Sequence, residues 1–436
     1  MSDRPLTDDQ QPSHAFVLTP QPGGAPPRAG PLGGLRLAVK DIFDVEGQVT
    51  GAGSPGWSVG MPPAPAHAAL VGLLIEAGAA FAGKTVTDEL AFSLMGDNAH
   101  FPPPRNHAAP NRYTGGSSCG SVAAVGAGEA EIALASDTGG SIRAPASFCG
   151  LIGLRATHGR IDMTGCVPLA PSLDTGGWFA ADPAIYRAVA ELALGPPTPR
   201  EHAAQAPRAL RCPVLEAGLP AASRAVWDDL AERAIGHLGG GWTTLDLGEE
   251  PSVLQRCFRV VQAAEAWEMH GPYVELHGAA MNPGVRDRFE WGRDVARDEH
   301  ALMSRLRESF AAWMDDELGD DGVLLLPTVP GPAPLRESSE GERAAYREVA
   351  LHLLCIAGLA GLPQLTLPLG EIDGAPFGLS LVGAAGTDRR LLEHGLGLLA
   401  ASGSSQCVGE ARPVPTMNGT WTPPAGVPFH PPHQEP

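Results

Sequence analysis

Three short stretches of the chain carry side chains that could act together on a carbonyl group. Ser141 follows two glycines in the stretch ASDTGGSIRAPASFCGLIGL, just before a predicted short helix. Ser117 and Ser118 form a second glycine-flanked pair, and Ser117 precedes Ser141 by 24 residues. Lys40 ends the apolar run LRLAVK. A serine hydroxyl needs a base to become a nucleophile, and a buried lysine can serve because burial favours its neutral amine.

The glycines beside Ser141 give the backbone the freedom that an oxyanion site requires. Gly139 and Gly140 let the main chain approach a ligand closely, and the start of a following helix has N–H groups without intrahelical partners. Such groups stabilise the negative charge that develops on a carbonyl oxygen under attack. The alternative is that Ser141, like Ser117, caps a helix, which is a common role of serine beside glycine. The stretch alone leaves both interpretations open.

Other catalytic interpretations have less support from the residue types. A Ser-His-Asp triad would use His100, His107 or His158, which lie in predicted loops without an evident carboxylate partner. A zinc site lacks its usual pattern, since the sequence contains neither HExxH nor paired CxxC motifs. Cys119 is interpreted as a small packed residue rather than a thiol nucleophile, because no paired histidine is apparent.

Two glycine-rich segments match nucleotide-binding motifs in their letters. The segment GAAFAGKT at 78–85 fits GxxxxGK[ST], and the segment GAGSPG at 51–56 fits GxGxxG. A phosphate loop follows a strand and opens a helix, whereas Gly78 ends a predicted helix and the AAFA run is typical of a buried strand. We therefore predict that Lys84 lies at a strand end and that 51–56 is a loop.

The elements that must position the serines and the lysine alternate between strand and helix. The predicted strands are 35–40, 79–83, 323–327, 364–368 and 377–382, with a further one at 211–216. The predicted helices are 66–77, 86–95, 122–132, 183–194, 221–237, 251–271, 286–310, 342–360 and 387–401. Strand patterns at both ends of the chain, separated by helices, favour one discontinuous sheet over two consecutive domains.

The composition is that of an acidic chain with enough apolar residues for a large core: 43% of the 436 residues are hydrophobic. The formal net charge of −19 argues against nucleic acid and an anionic membrane surface as partners. Seven cysteines without a CxxC motif suit a reducing compartment, so a cytoplasmic location is expected. No segment has the uninterrupted apolar length of a signal sequence or a membrane span, so we expect neither.

Taken in order, the chemical motifs resemble those of the amidase signature family. The residues that carry the resemblance are Lys40-Asp41, the GGSS turn at 115–118 and the stretch DTGGSIRAPA at 137–146. The resemblance extends from about residue 32 to residue 401. Within the family, VKDIFDVEGQVTG, GKTVTDELAFS and PTVPGPAP are most similar to plant-type indole-3-acetamide hydrolases and their bacterial relatives.

The resemblance implies an α/β fold with a large mixed central sheet covered by helices on both faces, in a single domain. That domain would occupy 35–402, with a mostly helical specificity region at 183–316. The segments 1–34 and 403–436 are rich in proline and are expected to form irregular arms.

The resemblance also implies a role for each motif. Ser141 would attack the amide carbonyl, Ser117 would relay the proton, and Lys40 would be the final base. The Gly116–Ser117 peptide bond would be cis. Cys119 and Ala135 depart from the residues commoner in the family, but both changes are small.

Further positions follow from the same resemblance and are collected here by role. The oxyanion hole would consist of the backbone N–H groups of Thr138, Gly139, Gly140 and Ser141. The side chains expected to support the site are Asp137, Arg143 and Asp174, and Leu90 is expected to line the substrate pocket.

The implied reaction is hydrolysis of a small carboxamide, with an aryl-acetamide as the favoured type, to a carboxylate and ammonia. No metal and no organic cofactor would take part. Two alternatives remain: an amidotransferase-type subunit, and a catalytically silent scaffold or receptor module of the same fold. The expected partner is the small-molecule amide, and a homodimer is the one macromolecular assembly retained as an expectation.

Overall fold

A computed structural model describes residues 12–17, 29–202 and 206–403 of the chain. The strands of these ranges are β1 Arg36–Lys40, β2 Ala80–Thr85, β3 Ile132–Asp137, β4 Ile152–Arg155, β5 Thr175–Ala180, β6 Arg208–Arg211, β7 Thr243–Thr244, β8 Gly322–Pro327, β9 Gln364–Ile372 and β10 Ala375–Gly383. The helices are α1 Pro55–Ser58, α2 Ala69–Glu76, α3 Cys119–Gly126, α4 Arg143–Cys149, α5 Pro183–Ala193, α6 Pro199–His202, α7 Pro213–Glu216, α8 Ala221–His237, α9 Pro251–His277, α10 Pro283–Arg293, α11 Arg297–Leu318, α12 Glu340–Ala360 and α13 Asp388–Ala401.

The strands form one mixed sheet in the order β2-β1-β3-β5-β4-β9-β10-β8-β6-β7. The neighbours β2, β1 and β3 run parallel, as do β8, β6 and β7, whereas the strands between them are antiparallel. Strands from both ends of the chain therefore meet in one sheet. This confirms the prediction of an α/β fold with a discontinuous mixed sheet.

Successive strand residues face opposite sides of the sheet, and each side has its own apolar cluster. Leu37 and Val39 of β1 pack with residues of α2, α5, α8 and α13, whereas Ala38 packs with residues of α3 and α4. In β8, Leu325 belongs to the first cluster and Leu324 to a third one that contains residues of α9, α11 and α12. Burial of both faces explains why these strands are almost continuously apolar.

The predicted helix at 86–95 is wrong, and this is the correction that matters most for the site. The segment contains only a 3-10 turn, Glu89–Ala91, in which Leu90 and Ala91 have positive φ angles of 48° and 60°. Tertiary contacts outweigh the helical pattern here. The Asp88 carboxylate accepts a hydrogen bond from the Gly96 N–H, and both oxygens of Glu89 accept from the Asn282 N–H.

Smaller corrections concern element boundaries. The helix predicted at 122–132 is α3 and ends at Gly126, and the strand β3 begins at Ile132. Residues 211–216 are not a strand, because β6 ends at Arg211 and Pro213 opens α7. The helix predicted at 286–310 is divided into α10 and α11, and α1 forms one turn within the predicted loop around 51–56.

The predicted N-terminal and C-terminal arms lie largely outside the described residues. Of the first, residues 12–17 run beside the edge strand β2, where Phe16 pairs with Thr85 and the Val86 N–H donates to the Ala15 carbonyl. Within the described part of the chain, no helix is both long enough and apolar enough to cross a bilayer.

Candidate active site

Two parallel strands carry the groups at the centre of the site. Lys40 is the last residue of β1, and Ser136 and Asp137 end the neighbouring strand β3, so the side chains of Lys40 and Ser136 meet at one edge of the sheet. The Lys40 amine is buried and lies 2.8 Å from the Ser117 hydroxyl and 2.8 Å from the Ser136 hydroxyl. Ser136 was not predicted from the sequence, although a small polar residue at the end of an apolar strand was a signal for it.

The turn that carries Ser117 is held by close packing on both sides. The Gly116–Ser117 peptide bond is cis, as the family resemblance implies. A Cβ at Gly116 would lie 2.1 Å from a carboxylate oxygen of Asp88, and one at Gly115 would lie 3.0 Å from the Cα of Pro145 in α4. The turn of Ser117 thus packs directly against the helix that follows Ser141.

Ser118 and Cys119 lie in environments that differ from that of Ser117. The letters at 116–120 also fit the G-x-S-x-G pattern, with Ser118 as its serine, but a loop rather than a strand precedes them. The Ser118 hydroxyl donates to the Ser136 carbonyl at 3.3 Å. Cys119 is fully buried, and burial raises the pKa of its thiol well above the usual range. These contacts support the interpretation of Cys119 as a packed residue.

The turn 138–141 connects β3 to α4 and presents its backbone N–H groups at the strand end. Gly140 has a φ of 119°, and a Cβ there would lie 2.6 Å from Leu354. Its N–H is already donated to Asp137 Oδ1 at 2.9 Å. The structure shows no acceptor among the described residues for the N–H groups of Thr138, Gly139 and Ser141, so these three of the four predicted oxyanion donors are available to a ligand.

Asp137 organises this turn through a buried network. Its carboxylate accepts hydrogen bonds from Arg143 Nη2 at 2.7 Å and from Arg155 Nη1 at 3.1 Å, besides backbone N–H groups of the turn. Burial alone would raise the pKa of Asp137, but the Arg143 guanidinium, aided by Arg155, outweighs burial and holds that pKa well below its usual range. Arg155 was not predicted; the signal was a charged residue at the end of the apolar run LIGLR.

Asp174 supports the same turn through a second set of hydrogen bonds. Its carboxylate accepts a hydrogen bond from the Thr138 hydroxyl at 2.5 Å and from the N–H groups of Leu169 and Ala170. Burial raises the pKa of Asp174 to about 6 despite these bonds. The three side chains predicted to support the site therefore contact the turn 138–141 or its flanks, and their effect on catalysis stays a prediction.

Burial sets the electrostatic state of Lys40. Removal from water lowers the pKa of its amine to about 8, although nearby groups, the Asp88 and Asp174 carboxyls among them, favour the charged form. Asp88 is itself buried, with no cation in contact among the described residues, and burial raises its pKa to about 6. A larger fraction of the Lys40 amines is therefore neutral and able to accept a proton at neutral pH than of an exposed lysine.

Lys84 and two of the histidines are engaged elsewhere. Lys84 lies near the end of β2, 2.8 Å from Asp41 and 2.9 Å from the Thr50 hydroxyl, as expected of a strand-end lysine. No helix follows it, so the phosphate-loop interpretation lacks its structural context. His100 Nε2 lies 3.0 Å from Glu89, and His158 Nε2 contacts the Pro171 carbonyl rather than a serine of the site.

A cavity of about 360 Å³ opens onto Ser141. It is lined by Ala91, Phe92, Ser93, Leu94, Gly139, Ser141, Arg259, Gln262, Ala263, Asp287, Arg288, Trp291, Arg347, Glu348 and Leu351. Leu90 is not in this set: its side chain is buried, and the residues that follow it form the wall. The size is within the range of pockets that bind small molecules.

The arrangement has the parts that acyl transfer requires. A serine faces a cavity, three N–H groups lie beside it, and a buried amine contacts a second serine in the adjoining turn. A hydroxyl so placed can become a nucleophile if its proton has a path to the amine.

Most of the chain is similar in sequence to known proteins. A model of the Amidase family matches residues 24–218 and 210–392. Amidase 1 of Oryza sativa subsp. japonica is 33% identical over 409 residues, which cover 86% of this chain and 92% of that protein. Translocon at the outer membrane of chloroplasts 64 of Pisum sativum is 35% identical over 400 residues, which cover 86% of this chain and 68% of that protein. A crystal structure of an amidase has a TM-score of 0.75 and 31% identity, with 85% of each chain covered.

Proposed function

The chain belongs to the amidase signature family and is an amide-hydrolysing enzyme, and we propose that it cleaves a small carboxamide through an acyl-enzyme on Ser141. The observation that carries this proposal is the contact between Lys40 and Ser117. A buried amine whose pKa is lowered to about 8 lies 2.8 Å from a serine in the turn that packs against α4. That pair supplies the base that Ser141 needs.

The proposed first half-reaction is acylation. Ser141 Oγ attacks the amide carbon while its proton passes to Ser117, and the Ser117 proton passes to neutral Lys40. The tetrahedral intermediate collapses when the leaving nitrogen receives a proton back through Ser117. The C–N bond breaks, ammonia leaves, and an ester to Ser141 remains.

The second half-reaction returns the enzyme to its starting state. Water takes the place of ammonia and gives one proton to the same relay as its oxygen attacks the ester carbon. Collapse releases the carboxylic acid and restores the Ser141 hydroxyl. In both halves the N–H groups of Thr138, Gly139 and Ser141 would stabilise the oxyanion; loss of one such donor costs about 3 kcal/mol of transition-state stabilisation in other enzymes.

The proposed substrate is an aryl-acetamide, whose acyl group carries an aromatic ring. Phe92, Leu94 and Leu351 give the cavity apolar walls, and Trp291 adds an aromatic surface. The volume of about 360 Å³ accommodates one aromatic ring with a short acetamide arm.

Two measurements test the proposal together. A panel of primary amides, anilides and esters is assayed for ammonia or amine release, and a fluorophosphonate probe is used to label the active nucleophile. We expect phenylacetamide to be hydrolysed faster than acetamide, and the label to lie on a peptide containing Ser141. Ser141→Ala should abolish both turnover and labelling while leaving the thermal unfolding midpoint unchanged. Turnover by Ser141→Ala equal to that of the wild type would exclude the mechanism.

The outcomes also separate the alternatives. A chain that neither labels nor releases ammonia would be a scaffold, and one that transfers ammonia only with a copurifying partner would be an amidotransferase subunit. A cytoplasmic location remains part of the proposal. The six described cysteines are unpaired, in keeping with a reducing compartment, and cell fractionation tests the location.

A further inference from the structure

The cavity above Ser141 has a charged end that hydrolysis of a neutral amide does not use. Three guanidinium groups line it, those of Arg259, Arg288 and Arg347. They come from three different helices, α9, α10 and α12. Like charges gathered in one cavity repel each other, so such a cluster suggests that an anion belongs among them.

The acidic residues of the cavity do not neutralise the cluster. Glu348 accepts hydrogen bonds from Arg259, and from Gln255 at 3.1 Å. Asp287 accepts from Arg286 at 3.2 Å. Each carboxylate of the lining therefore has a partner, and only Arg259 among the three arginines pairs with one of them.

Arg347 and Arg288 have donors to spare. The side chain of Arg347 forms no ion pair and no hydrogen bond within the described ranges, although Glu340 and Glu348 are near enough to act on its charge. Arg288 donates through Nε and Nη2 to the neutral Phe92 carbonyl, which leaves Nη1 without a described partner. Burial, with Arg347 as the next cause, lowers the pKa of Arg288 only to about 10, so Arg288 is cationic at neutral pH. An arginine side chain such as that of Arg347 is effectively always charged in proteins.

Ser141 and the arginines share one cavity, whose wall residues differ in exposure. Ser141 is 5% exposed, whereas the side chain of Arg259 is 44% exposed and Trp291 is 38% exposed. Apolar residues, among them Leu351, lie in the same wall.

We propose that the substrate is an amide whose acyl group carries a carboxylate at its far end, bound by Arg347 and Arg288. This inference rests on the proposed function, because it places the scissile amide at Ser141. The planar guanidinium of Arg347 can bind a carboxylate through two parallel hydrogen bonds, and Nη1 of Arg288 can add a further one. The apolar wall holds the segment between the two ends, so an aryl-acetamide with a ring carboxylate combines both requirements.

The test compares two amides that differ only in this charge, phenylacetamide and 4-carboxyphenylacetamide. Calorimetry with the Ser141→Ala variant measures the affinity of each amide for the cavity without any turnover. We expect the carboxylated amide to bind about 10- to 100-fold more tightly, the range of one or two charge-assisted hydrogen bonds. Arg347→Gln, introduced into the Ser141→Ala variant, should remove most of the preference for the carboxylated amide. Arg347→Lys in the same variant should keep part of the preference because the charge remains.

Arg256→Gln is the matched control. Arg256 lies one turn before Arg259 on α9, pairs with Glu299 on the exterior and is not part of the cavity wall. Its loss removes one positive charge and should leave the preference intact.

The failures of the two proposals are distinguishable. Equal binding of both amides, or an undiminished preference in Arg347→Gln, overturns the carboxylate site even if the wild type hydrolyses phenylacetamide. A wild type that hydrolyses neither amide, while Ser141→Ala shows the Arg347-dependent preference, supports the carboxylate site and overturns the proposed function.

Discussion

The Lys40 amine lies 2.8 Å from the Ser117 hydroxyl, although 77 positions separate the two residues in the chain. Lys40 ends β1, and Ser117 belongs to the turn that precedes α3, so the contact exists because α3 packs on the strands β1 and β3. It joins a buried base to a hydroxyl in the turn that packs against α4. The predictions below follow from this contact and from the groups that hold it.

Replacing Ser117 by alanine should lower kcat/KM about 1,000-fold or more, because it removes the only proposed link between Lys40 and Ser141. Ser118→Ala is the matched control. Its hydroxyl donates to the Ser136 carbonyl, so its loss should cost about 1 kcal/mol of stability and little turnover. Ammonia-release kinetics on both variants make the comparison, and equal losses would contradict the assigned relay.

The rate should rise with pH because the neutral form of Lys40 is the base. With its pKa lowered to about 8, kcat/KM is expected to fall about tenfold for each pH unit below that value and to level off above it. Unfolding midpoints across the same pH range show whether the fold stays intact. A flat profile between pH 6 and 9 would rule out a lysine with this pKa as the base.

Ser136→Ala should impair the reaction by releasing Lys40 from one of its two contacts. The Ser136 hydroxyl accepts a hydrogen bond from the amine, which favours the charged form, so its loss should lower the pKa of Lys40 further. We expect kcat to fall and the acidic limb of the pH profile to move about one unit lower. Ser136→Thr keeps a hydroxyl and should return the acidic limb of the pH profile to its wild-type position. An unmoved limb in Ser136→Ala would indicate a purely structural role.

Asp137→Asn should destabilise the protein by about 3–5 kcal/mol, because it leaves Arg143 and Arg155 buried without a counter-charge. Arg187→Gln breaks the exposed pair with Glu393 and should cost less than about 1 kcal/mol. Urea unfolding measures both. A loss of stability in Asp137→Asn no larger than in Arg187→Gln would contradict a structural role for the buried network.

The same carboxylate gives stability a pH dependence with a definite sign. The pKa of Asp137 is held well below its usual range in the folded state. Its stabilising contribution is therefore complete above about pH 4, the pKa of an unfolded aspartate, and is lost as the pH falls below that value. Urea unfolding between pH 3 and 7 should show this loss in the wild type and a smaller one in Asp137→Asn.

The sequence alone was sufficient for the features that depend on neighbours in the chain. A lysine at the end of an apolar run and serines in glycine turns are local patterns, and they indicated the residues that the fold brings to one sheet edge. The single discontinuous sheet followed from the order of strand and helix patterns, and the α/β class from the family resemblance. The glycine positions could also be interpreted, since a positive φ or a close approach, as at Gly140 and Gly116, excludes larger residues.

Tertiary structure decided what no local pattern records. The segment 86–95 has helical periodicity, yet contacts of Asp88 and Glu89 with distant N–H groups form a turn instead. Ser136 and Arg155 were missed because their partners lie on other strands and loops. The arginines of the cavity come from α9, α10 and α12, and only the packing of these helices brings their charges together. The sequence thus indicated the proposed chemistry through residues that are close in the chain, whereas the shape and charge of the cavity depend on residues that are close only in space.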